Sequence, residues 1–245
     1  MLKLLCIGNS FSDDATRYLA GVARADRQEI RVFNLMIPGC PLSTHFRMMR
    51  SGEAGYYFRF NGQDTGLKMA LDRALGADEW DVVTLQQVSH LAPRYETYRP
   101  YLNELAAHVR SFVPKARVML HQIWAYEEGG VRLTQELGYA HQADMFRDVQ
   151  SAYAQAAADI HADGVLPSGE MFQRLIRQGL SPVHRDGFHA ELGKGRYALG
   201  ALWYDLLTGR TVEGNAFRDL DVPMPEEQFL VIQRLAHELA DEYRG

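Results

Sequence analysis

The stretch Ile7-Gly8-Asn9-Ser10-Phe11-Ser12-Asp13-Asp14 sets the interpretation of the whole chain. It follows the apolar run Leu4–Ile7, which is typical of a buried strand, and it precedes helical spacing from about Ala15 to Ala25. Ser10 is therefore predicted to lie where a strand passes into a helix. The free N–H groups of a helix's first turn face the carboxyl edge of the sheet, so a hydroxyl and a developing negative charge can share that place.

The same stretch also has a purely structural interpretation. Gly-Asn-Ser is ordinary turn chemistry, and Ser12 or Asp13 can act as an N-cap that accepts hydrogen bonds from the next helix. Only the rest of the chain can separate a capping serine from a reactive one.

The amino-acid composition limits the kinds of protein that this chain can be. The chain has 245 residues, of which 47% are hydrophobic and 23% are charged, and this balance predicts one globular domain over residues 1–245. The net charge is −5 and there is no long run of Lys or Arg, so we expect no nucleic-acid partner. Cys6 and Cys40 have neither metal-site spacing nor the pattern of a disulfide framework.

The sequence also lacks the patterns of membrane proteins. No stretch approaches the roughly 18 consecutive apolar residues that a membrane span needs. The N-terminus passes straight into the first predicted strand without a charged and then apolar leader. We therefore expect a cytoplasmic protein with no membrane span.

Predicted strands and helices alternate along the chain. After the first strand, the predicted strands are Ile30–Ile37, Trp80–Leu85, Ala116–Leu120 and Gly164–Pro167. The later predicted helices are Tyr95–Phe112, Gly138–Ile160, Glu170–Arg177, Ala190–Leu207 and Pro225–Tyr243. This alternation indicates right-handed βαβ units, a parallel sheet covered on both faces, and a ligand site at the carboxyl ends of the strands.

The region after the second strand is less regular. The breaker cluster Pro38-Gly39-Cys40-Pro41 must form a loop just past that strand's end. The segment from Ser43 to Asp64 lacks clean periodicity, and we interpret it as a partly helical excursion with a short hairpin around Asn61-Gly62. Whether it forms a lid stays open. Leu67–Leu75 then has helical spacing and is predicted as a helix.

An acid and an imidazole stand three residues apart in His184-Arg185-Asp186-Gly187-Phe188-His189. In a tight loop or one helical turn they face the same way, so Asp186 can accept a hydrogen bond from His189 Nδ1 while Nε2 points outward. That is the acid–base part of a triad in which the imidazole takes the proton of a serine that attacks an acyl carbon. The alternative is a plain turn at Asp186-Gly187 with an incidental histidine.

Taken in order, these blocks resemble the SGNH, or GDSL-like, hydrolase superfamily over nearly the whole chain. They look closest to a bacterial subgroup that begins with an Ile-Gly-Asn-Ser-Phe block. The resemblance implies an α/β fold, a three-layer α/β/α sandwich with a five-stranded parallel sheet in flavodoxin-like order. It implies Ser10 as the nucleophile, His189 as the general base and Asp186 as its orienting acid. Gly39 would be a backbone donor of the oxyanion hole beside Ser10.

The chain departs from the family pattern in two places. Gly8-Asn9-Ser10 stands where the family usually has Gly-Asp-Ser, and Leu85-Gln86-Gln87-Val88-Ser89 stands where it has Gly-x-Asn. That Asn aims an amide at the oxyanion, and losing one such donor can cost about 10²–10³ in rate. Gln87 carries the same amide on one more methylene, so we assign it the role. Gln86 would point to the opposite side if the strand continues, and Ser89 is the further alternative.

Aromatic and imidazole side chains near the predicted strand exits offer further candidates. Trp124 and Tyr126 can form an aromatic wall for a sugar or an acyl group, or they can be core residues. Four histidines fall near the same edge: His45, His90, His121 and His184. None of them has the spacing of a metal-ligand pair, so we expect neither a metal nor a cofactor.

Our leading prediction is a serine esterase that hydrolyses a small acyl ester through an acyl-enzyme. The family resemblance suggests an acetyl ester on a carbohydrate as the substrate. The alternative is a non-catalytic module that binds a carbohydrate or a small ligand on the same fold, and the missing Asn block favours it. A flavodoxin-like nucleotide binder ranks last, because the first loop has only Gly8 and lacks the Lys of a phosphate-binding loop.

Overall fold

A seven-stranded mixed sheet forms the centre of the protein in the computed structural model, which describes residues 1–244. The strands are β1 (Leu2–Gly8), β2 (Ile30–Met36), β3 (Tyr56–Phe60), β4 (Gln63–Met69), β5 (Val82–Leu85), β6 (Arg117–Gln122) and β7 (Gly164–Pro167). Their order across the sheet is β4-β3-β2-β1-β5-β6-β7. Five neighbouring strands run parallel to one another: β2, β1, β5, β6 and β7. Strand β3 is antiparallel to β2, and β4 is antiparallel to β3.

The expected sheet of five parallel strands is therefore too small. The five parallel strands follow the expected order, but the hairpin of β3 and β4 adds two antiparallel strands beside β2. The turn lies at Asn61-Gly62, as predicted, and both residues have positive φ (49° and 76°), which suits a two-residue hairpin turn. The pattern of the flanking segment did not reveal its pairing to β2.

Strand β4 replaces the first three residues of the helix that was predicted over Leu67–Leu75. Leu67 is 59% exposed, so its apolar spacing did not mark a buried helix face. Gly66 has φ +70°, a left-handed conformation that does not continue a right-handed helix. Helix formation begins only at Leu71, after the strand has ended at Met69.

Nine α-helices lie in the described part of the chain and flank the sheet. They are α1 (Ser10–Thr16), α2 (Leu19–Ala25), α3 (Leu42–Ser51), α4 (Leu71–Leu75), α5 (Tyr101–Phe112), α6 (Gln142–Asp159), α7 (Ser168–Arg177), α8 (Lys194–Thr208) and α9 (Glu226–Arg244). Helix α8 is buried along most of its length and contacts α1, α2, α7 and α9, while α3, α4 and α5 contact one another. None of the helices described in residues 1–244 combines the length and apolar character that crossing a membrane requires.

Three predicted helices differ from the observed ones. The segment Tyr95–Phe112 is a 3₁₀ turn at Tyr95–Tyr98 and a separate helix α5, because Pro100 lacks the N–H that a continuous helix needs. The helix predicted from Gly138 begins only at Gln142, and Gly138 has a positive φ of 77°. The helix predicted over Ala15–Ala25 likewise divides into α1 and α2.

The parallel strands bring the polar loops to one edge of the sheet. Gly8 at the end of β1 pairs with Met36 of β2, and Ile7 pairs with Leu85 of β5. Leu85 in turn pairs with Leu120 of β6. The segments that follow these residues therefore leave the sheet side by side, which is the placement that the alternating pattern predicted.

Candidate active site

The turn after β1 leaves the Ser10 hydroxyl free of a capping role. Asn9 is the N-cap of α1, and its Oδ1 atom accepts a hydrogen bond from Phe11 N over 3.0 Å. Ser12 Oγ lies 2.8 Å from both Asn9 O and Asn34 Oδ1, so this hydroxyl is engaged elsewhere. Ser10 is the first residue of the helix, as the strand-to-helix pattern predicted.

Three side chains form a continuous hydrogen-bonded relay at this turn. Ser10 Oγ lies 2.9 Å from His189 Nε2, and His189 Nδ1 lies 2.7 Å from Asp186 Oδ2. Because the carboxylate accepts the Nδ1 proton, Nε2 is the nitrogen that is available to take the proton of the serine hydroxyl. The arrangement has the nucleophile–base and base–acid contacts that nucleophilic catalysis requires.

Asp186 is held in its ionised form by the groups that it contacts. Its Oδ1 atom accepts the backbone N–H groups of His189 (2.9 Å) and Phe188 (3.3 Å). Partial burial raises the pKa of the Asp186 carboxyl, but its hydrogen bonds and its electrostatic interaction with His189 lower the pKa by a larger amount, so the pKa lies below its ordinary value. A charged carboxylate here can stabilise the imidazolium that forms when His189 takes a proton.

The loop that carries Asp186 and His189 is closed at both ends. His184 and Ala190 form an isolated antiparallel bridge, and Arg185 N donates to His189 O over 3.0 Å. Gly187 lies at the tip with φ +86°, and its carbonyl accepts a hydrogen bond from Glu127 N over 2.8 Å. The loop is thus attached to the segment that follows β6.

Trp124 supports this loop from the core and does not form the open aromatic wall that the sequence suggested. Its side chain is fully buried, and Nε1 donates to Phe188 O over 2.7 Å. Its ring stacks against Phe11 and Phe172 at centroid distances of 4.3 and 4.7 Å. These partners occupy both faces of the indole, so it presents no face to a ligand.

Tyr126 is likewise buried, at 2% exposure. Its hydroxyl lies 2.9 Å from Ser89 Oγ, and its ring packs edge-on against Phe188 at 5.7 Å between centroids. Ser89, the further candidate for the oxyanion donor, is therefore engaged with Tyr126 in a buried contact.

Gly39 lies in an exposed turn beside the end of β1. The turn is closed by a hydrogen bond from Cys40 N to Ile37 O (3.2 Å), and Ile37 N donates to Gly8 O over 3.2 Å. Gly39 has φ +61°, a conformation that favours glycine, and a Cβ added there would meet nothing within 4 Å. The loop is joined to the nucleophile turn by Asn9 Nδ2, which donates to Cys40 O over 3.2 Å.

The Gln87 amide, to which we assigned the missing oxyanion role, faces another part of the protein. Its Nε2 atom donates to Thr97 O (3.0 Å) and Thr97 Oγ1 (3.2 Å), and its Oε1 atom accepts from Leu42 N (3.0 Å) and Val88 N (2.9 Å). The Nε2 donor of Gln87 is therefore engaged by Thr97. Gln87 instead joins the start of α3 to the segment around Thr97.

The neighbouring Gln86 points toward the turn of Ser10. Its Nε2 atom donates to Asn9 Oδ1 over 2.8 Å, and its Oε1 atom lies 3.0 Å from His121 Nδ1. Gly8 permits this approach, because a Cβ at that position would lie 2.5 Å from Gln86 Oε1. The sequence pattern did not predict that Asn9 and Gln86 would meet. The sequence signal for this contact was the pair of polar residues, Gln86 and Gln87, that directly follows β5.

Three of the four candidate histidines are buried structural groups. Burial lowers the pKa of His45 and of His121 to about 3, and that of His184 to about 4. His45 Nδ1 lies 3.0 Å from Tyr56 Oη, and His184 Nε2 donates to Ala125 O over 2.9 Å. His90 is exposed.

Comparison with known proteins shows the sequence family of the chain and relatives of its fold. A family model described as a domain of unknown function, DUF4886, matches residues 3–237. The chain belongs to the DUF4886 family. A crystal structure of a DUF4886 family protein from Bacteroides uniformis is 29% identical and has a TM-score of 0.87, with 99% of this chain and 95% of that chain covered.

More distant structural neighbours are SGNH or GDSL-like hydrolases. A protein from Slackia heliotrinireducens, described as a proposed SGNH hydrolase, is 21% identical with a TM-score of 0.58 over 100% of this chain and 99% of its own. Axe2, an acetylxylan esterase from Geobacillus stearothermophilus, is 15% identical with a TM-score of 0.53 over 81% of this chain and 90% of its own. No curated protein matches the sequence. The DUF4886 chain thus has the SGNH-hydrolase-like fold that its sequence motifs predicted.

Proposed function

We propose that this DUF4886 protein is a serine esterase that hydrolyses a small acyl ester through an acyl-enzyme. The observation that carries the proposal is the relay of Ser10, His189 and Asp186, with contacts of 2.9 and 2.7 Å. A serine of merely structural value has no need of a base at hydrogen-bond distance that is itself oriented by a carboxylate.

The reaction follows from the positions of these three groups. Ser10 Oγ attacks the acyl carbon while His189 Nε2 takes its proton, and the carbonyl oxygen becomes an oxyanion. His189 then gives the proton to the departing alcohol, which leaves the acyl group on Ser10. A water molecule repeats the attack, again with His189 as the base, and releases the acid and the free serine.

For the oxyanion we assign the backbone N–H groups of Ser10 and Gly39. The Ser10 amide lies in the first turn of α1, where N–H groups have no partner within the helix. The Gly39 turn is fastened to the same place through Asn9 and Cys40. We assign Gln87 no part as a donor, because its amide nitrogen is engaged by Thr97.

As the substrate class we assign an acetyl ester carried by a carbohydrate. This assignment rests on likeness to other proteins. It is supported by the resemblance to the GDSL-like family and by the shared fold of Axe2, an acetylxylan esterase. We expect the kcat/KM for p-nitrophenyl esters to fall as the acyl chain lengthens from acetate to octanoate. Release of acetate from an acetylated xylo-oligosaccharide tests the carbohydrate part of the assignment.

The decisive experiment is labelling with a fluorophosphonate probe, followed by peptide mapping of the adduct. The wild type is compared with Ser10→Ala and with Ser12→Ala as a matched control, since the Ser12 hydroxyl is engaged by Asn9 and Asn34. We expect one adduct, on Ser10, in the wild type and in Ser12→Ala, and none in Ser10→Ala. A folded wild-type protein that takes no label overturns the proposal and favours a non-catalytic module that binds a carbohydrate or a small ligand.

A further inference from the structure

Asp14 lies one helical turn after Ser10 on α1 and is almost completely buried, with 1% of its side chain exposed. Its carboxylate accepts hydrogen bonds from Arg185 Nη1 at 2.9 and 3.0 Å, from Arg196 Nε at 2.8 Å and from Ala190 N at 3.1 Å. A carboxylate removed from water to this degree is stable only when paired and hydrogen-bonded, and these partners supply both.

Two partners of Asp14 lie on either side of the Asp186–His189 loop, which we call the catalytic loop. Arg185 immediately precedes Asp186, and Ala190 immediately follows His189. Arg185 Nη1 also donates to Ala190 O, so the two ends of the loop and the Asp14 carboxylate form one cluster. Arg196 attaches this cluster to α8 and reaches Asp221 through Nη1 at 2.7 Å.

The nucleophile and its base belong to segments that are 179 residues apart in the chain. Ser10 is carried by α1, whereas His189 is carried by the loop before α8. Asp14 is the charged residue that joins these two segments, and none of its hydrogen bonds goes to the Ser10 hydroxyl or to the His189 ring. A change in this contact would alter the separation of Ser10 and His189 without removing a reacting atom.

We propose that Asp14 is a positioning residue that sets the distance between Ser10 Oγ and His189 Nε2 by fastening both ends of the Asp186–His189 loop to the nucleophile helix. The proposal rests on the proposed esterase function for its kinetic consequence. A displacement of about 1 Å between reacting groups can cost about 10² in rate, so loss of this contact should act on the chemical step more than on binding.

The test compares Asp14→Asn with Asp205→Asn as a matched control. Asp205 on α8 is also a buried carboxylate, and it accepts hydrogen bonds from Arg244 Nη1 (2.6 Å), His237 Nδ1 (3.0 Å) and Val212 N (2.9 Å). None of these partners belongs to the catalytic loop or to α1. The control therefore reproduces the loss of a buried charge without loosening the site.

We expect Asp14→Asn to lower kcat, and the rate of fluorophosphonate labelling of Ser10, by about 10²-fold with KM changed less than threefold. Asp205→Asn should lower thermal stability to a similar degree while kcat stays within threefold of the wild type. Equal losses of kcat in the two variants, or an unchanged kcat in Asp14→Asn, would overturn the proposal.

Two further measurements keep the outcome interpretable. If Asp14→Asn does not fold, Arg185→Gln replaces it, because Asp14 then keeps Arg196 and the Ala190 N–H as partners. If the wild type shows neither labelling nor esterase activity, the proposed function fails. The positioning role is then judged by the Ser10 Oγ to His189 Nε2 distance in crystal structures of the wild type and the variant. A distance unchanged from 2.9 Å in the variant would refute it.

Discussion

Asn9 Nδ2 donates a hydrogen bond to the Cys40 carbonyl oxygen over 3.2 Å, and this contact joins the turn of Ser10 to the turn of Gly39. The same side chain caps α1 through Phe11 N and accepts a hydrogen bond from Gln86. One buried amide therefore connects the nucleophile to the loop that we assign to the oxyanion hole. The relative position of the two proposed donors, Ser10 N–H and Gly39 N–H, depends on it.

Replacement of Asn9 by Ala and by Ser should separate its role as the cap of α1 from its role in joining the turns of Ser10 and Gly39. Asn9→Ala loses the cap, which typically costs about 1 kcal/mol of the free energy of unfolding, and it also loses the bond to Cys40. Asn9→Ser keeps a capping oxygen but cannot reach the Cys40 carbonyl. We expect both variants to lose at least tenfold in kcat, with Asn9→Ser the more stable in urea denaturation. Wild-type kcat in Asn9→Ser would show that the connection to Cys40 is unimportant.

Gln87→Ala should reduce stability and leave the chemistry nearly unchanged. The buried amide makes hydrogen bonds with Leu42 N, Val88 N and Thr97 O, and its removal takes these three bonds away, at a cost of about 1–3 kcal/mol. We expect kcat per folded molecule to stay within fivefold of the wild type. Loss of a true oxyanion donor would instead lower kcat by about 10²–10³, and that result would return Gln87 to the role that the sequence suggested.

Asp186→Asn should impair catalysis without unfolding the protein, since the Asp186 side chain is 44% exposed. An Asn can present its N–H toward His189 Nδ1 as readily as its oxygen, and it cannot stabilise an imidazolium. We expect kcat to fall by about 10²–10⁴ while the unfolding midpoint changes little. Steady-state kinetics with p-nitrophenyl acetate measures the loss. A fall of less than threefold would mean that His189 acts without its carboxylate.

Stability should decline as the pH falls below about 6.5, which is the ordinary pKa of histidine. His45, His121 and His184 stay neutral in the folded protein because burial lowers their pKa values to about 3, 3 and 4. The unfolded chain takes up protons at these residues first, so their contribution is complete above pH 6.5 and decreases as the pH falls toward 4. Each histidine contributes a slope of about 1.4 kcal/mol per pH unit.

Urea denaturation of the wild type and of His121→Asn at pH 7, 6 and 5 measures this dependence. The variant removes one of the three titrating groups and should show a shallower loss of stability with acid. The exposed His161 supplies the control, since His161→Asn leaves the three buried imidazoles in place and should leave the slope close to that of the wild type. Equal slopes in the wild type and in His121→Asn would contradict the assignment of a buried neutral imidazole.

The contacts among Ser10, His189 and Asp186 could be anticipated from sequence because each of these residues lies in a short local pattern. Ser10 stands at the exit of an apolar strand, and Asp186 and His189 are three residues apart before a helix. Strand pairing in the β3–β4 hairpin could not be predicted in the same way. Leu67 is exposed on an edge strand, so its spacing carried no information about a buried face.

The sequence also could not predict where side chains beyond the strand ends point. Alternation holds only while a strand continues, and β5 ends at Leu85, so parity does not decide whether Gln86 or Gln87 faces the site. Trp124 is buried because Phe11 and Phe172, which are remote in the chain, cover its two faces. Such contacts depend on the assembled fold.

The side-chain amides of Asn9 and Gln86, which are hydrogen-bonded to each other, determine which nitrogen of His121 on β6 carries the proton. Cys40 O can only accept and Phe11 N can only donate, so together they fix which end of the Asn9 amide faces which way. Gln86 must then turn its N–H toward Asn9 and its oxygen toward His121. The neutral imidazole of His121 is thereby restricted to the Nδ1–H tautomer, with Nε2 bare. Two backbone groups, one in the turn of Ser10 and one in the turn of Gly39, thus determine the tautomer of a histidine in the core, which ¹⁵N chemical shifts would report.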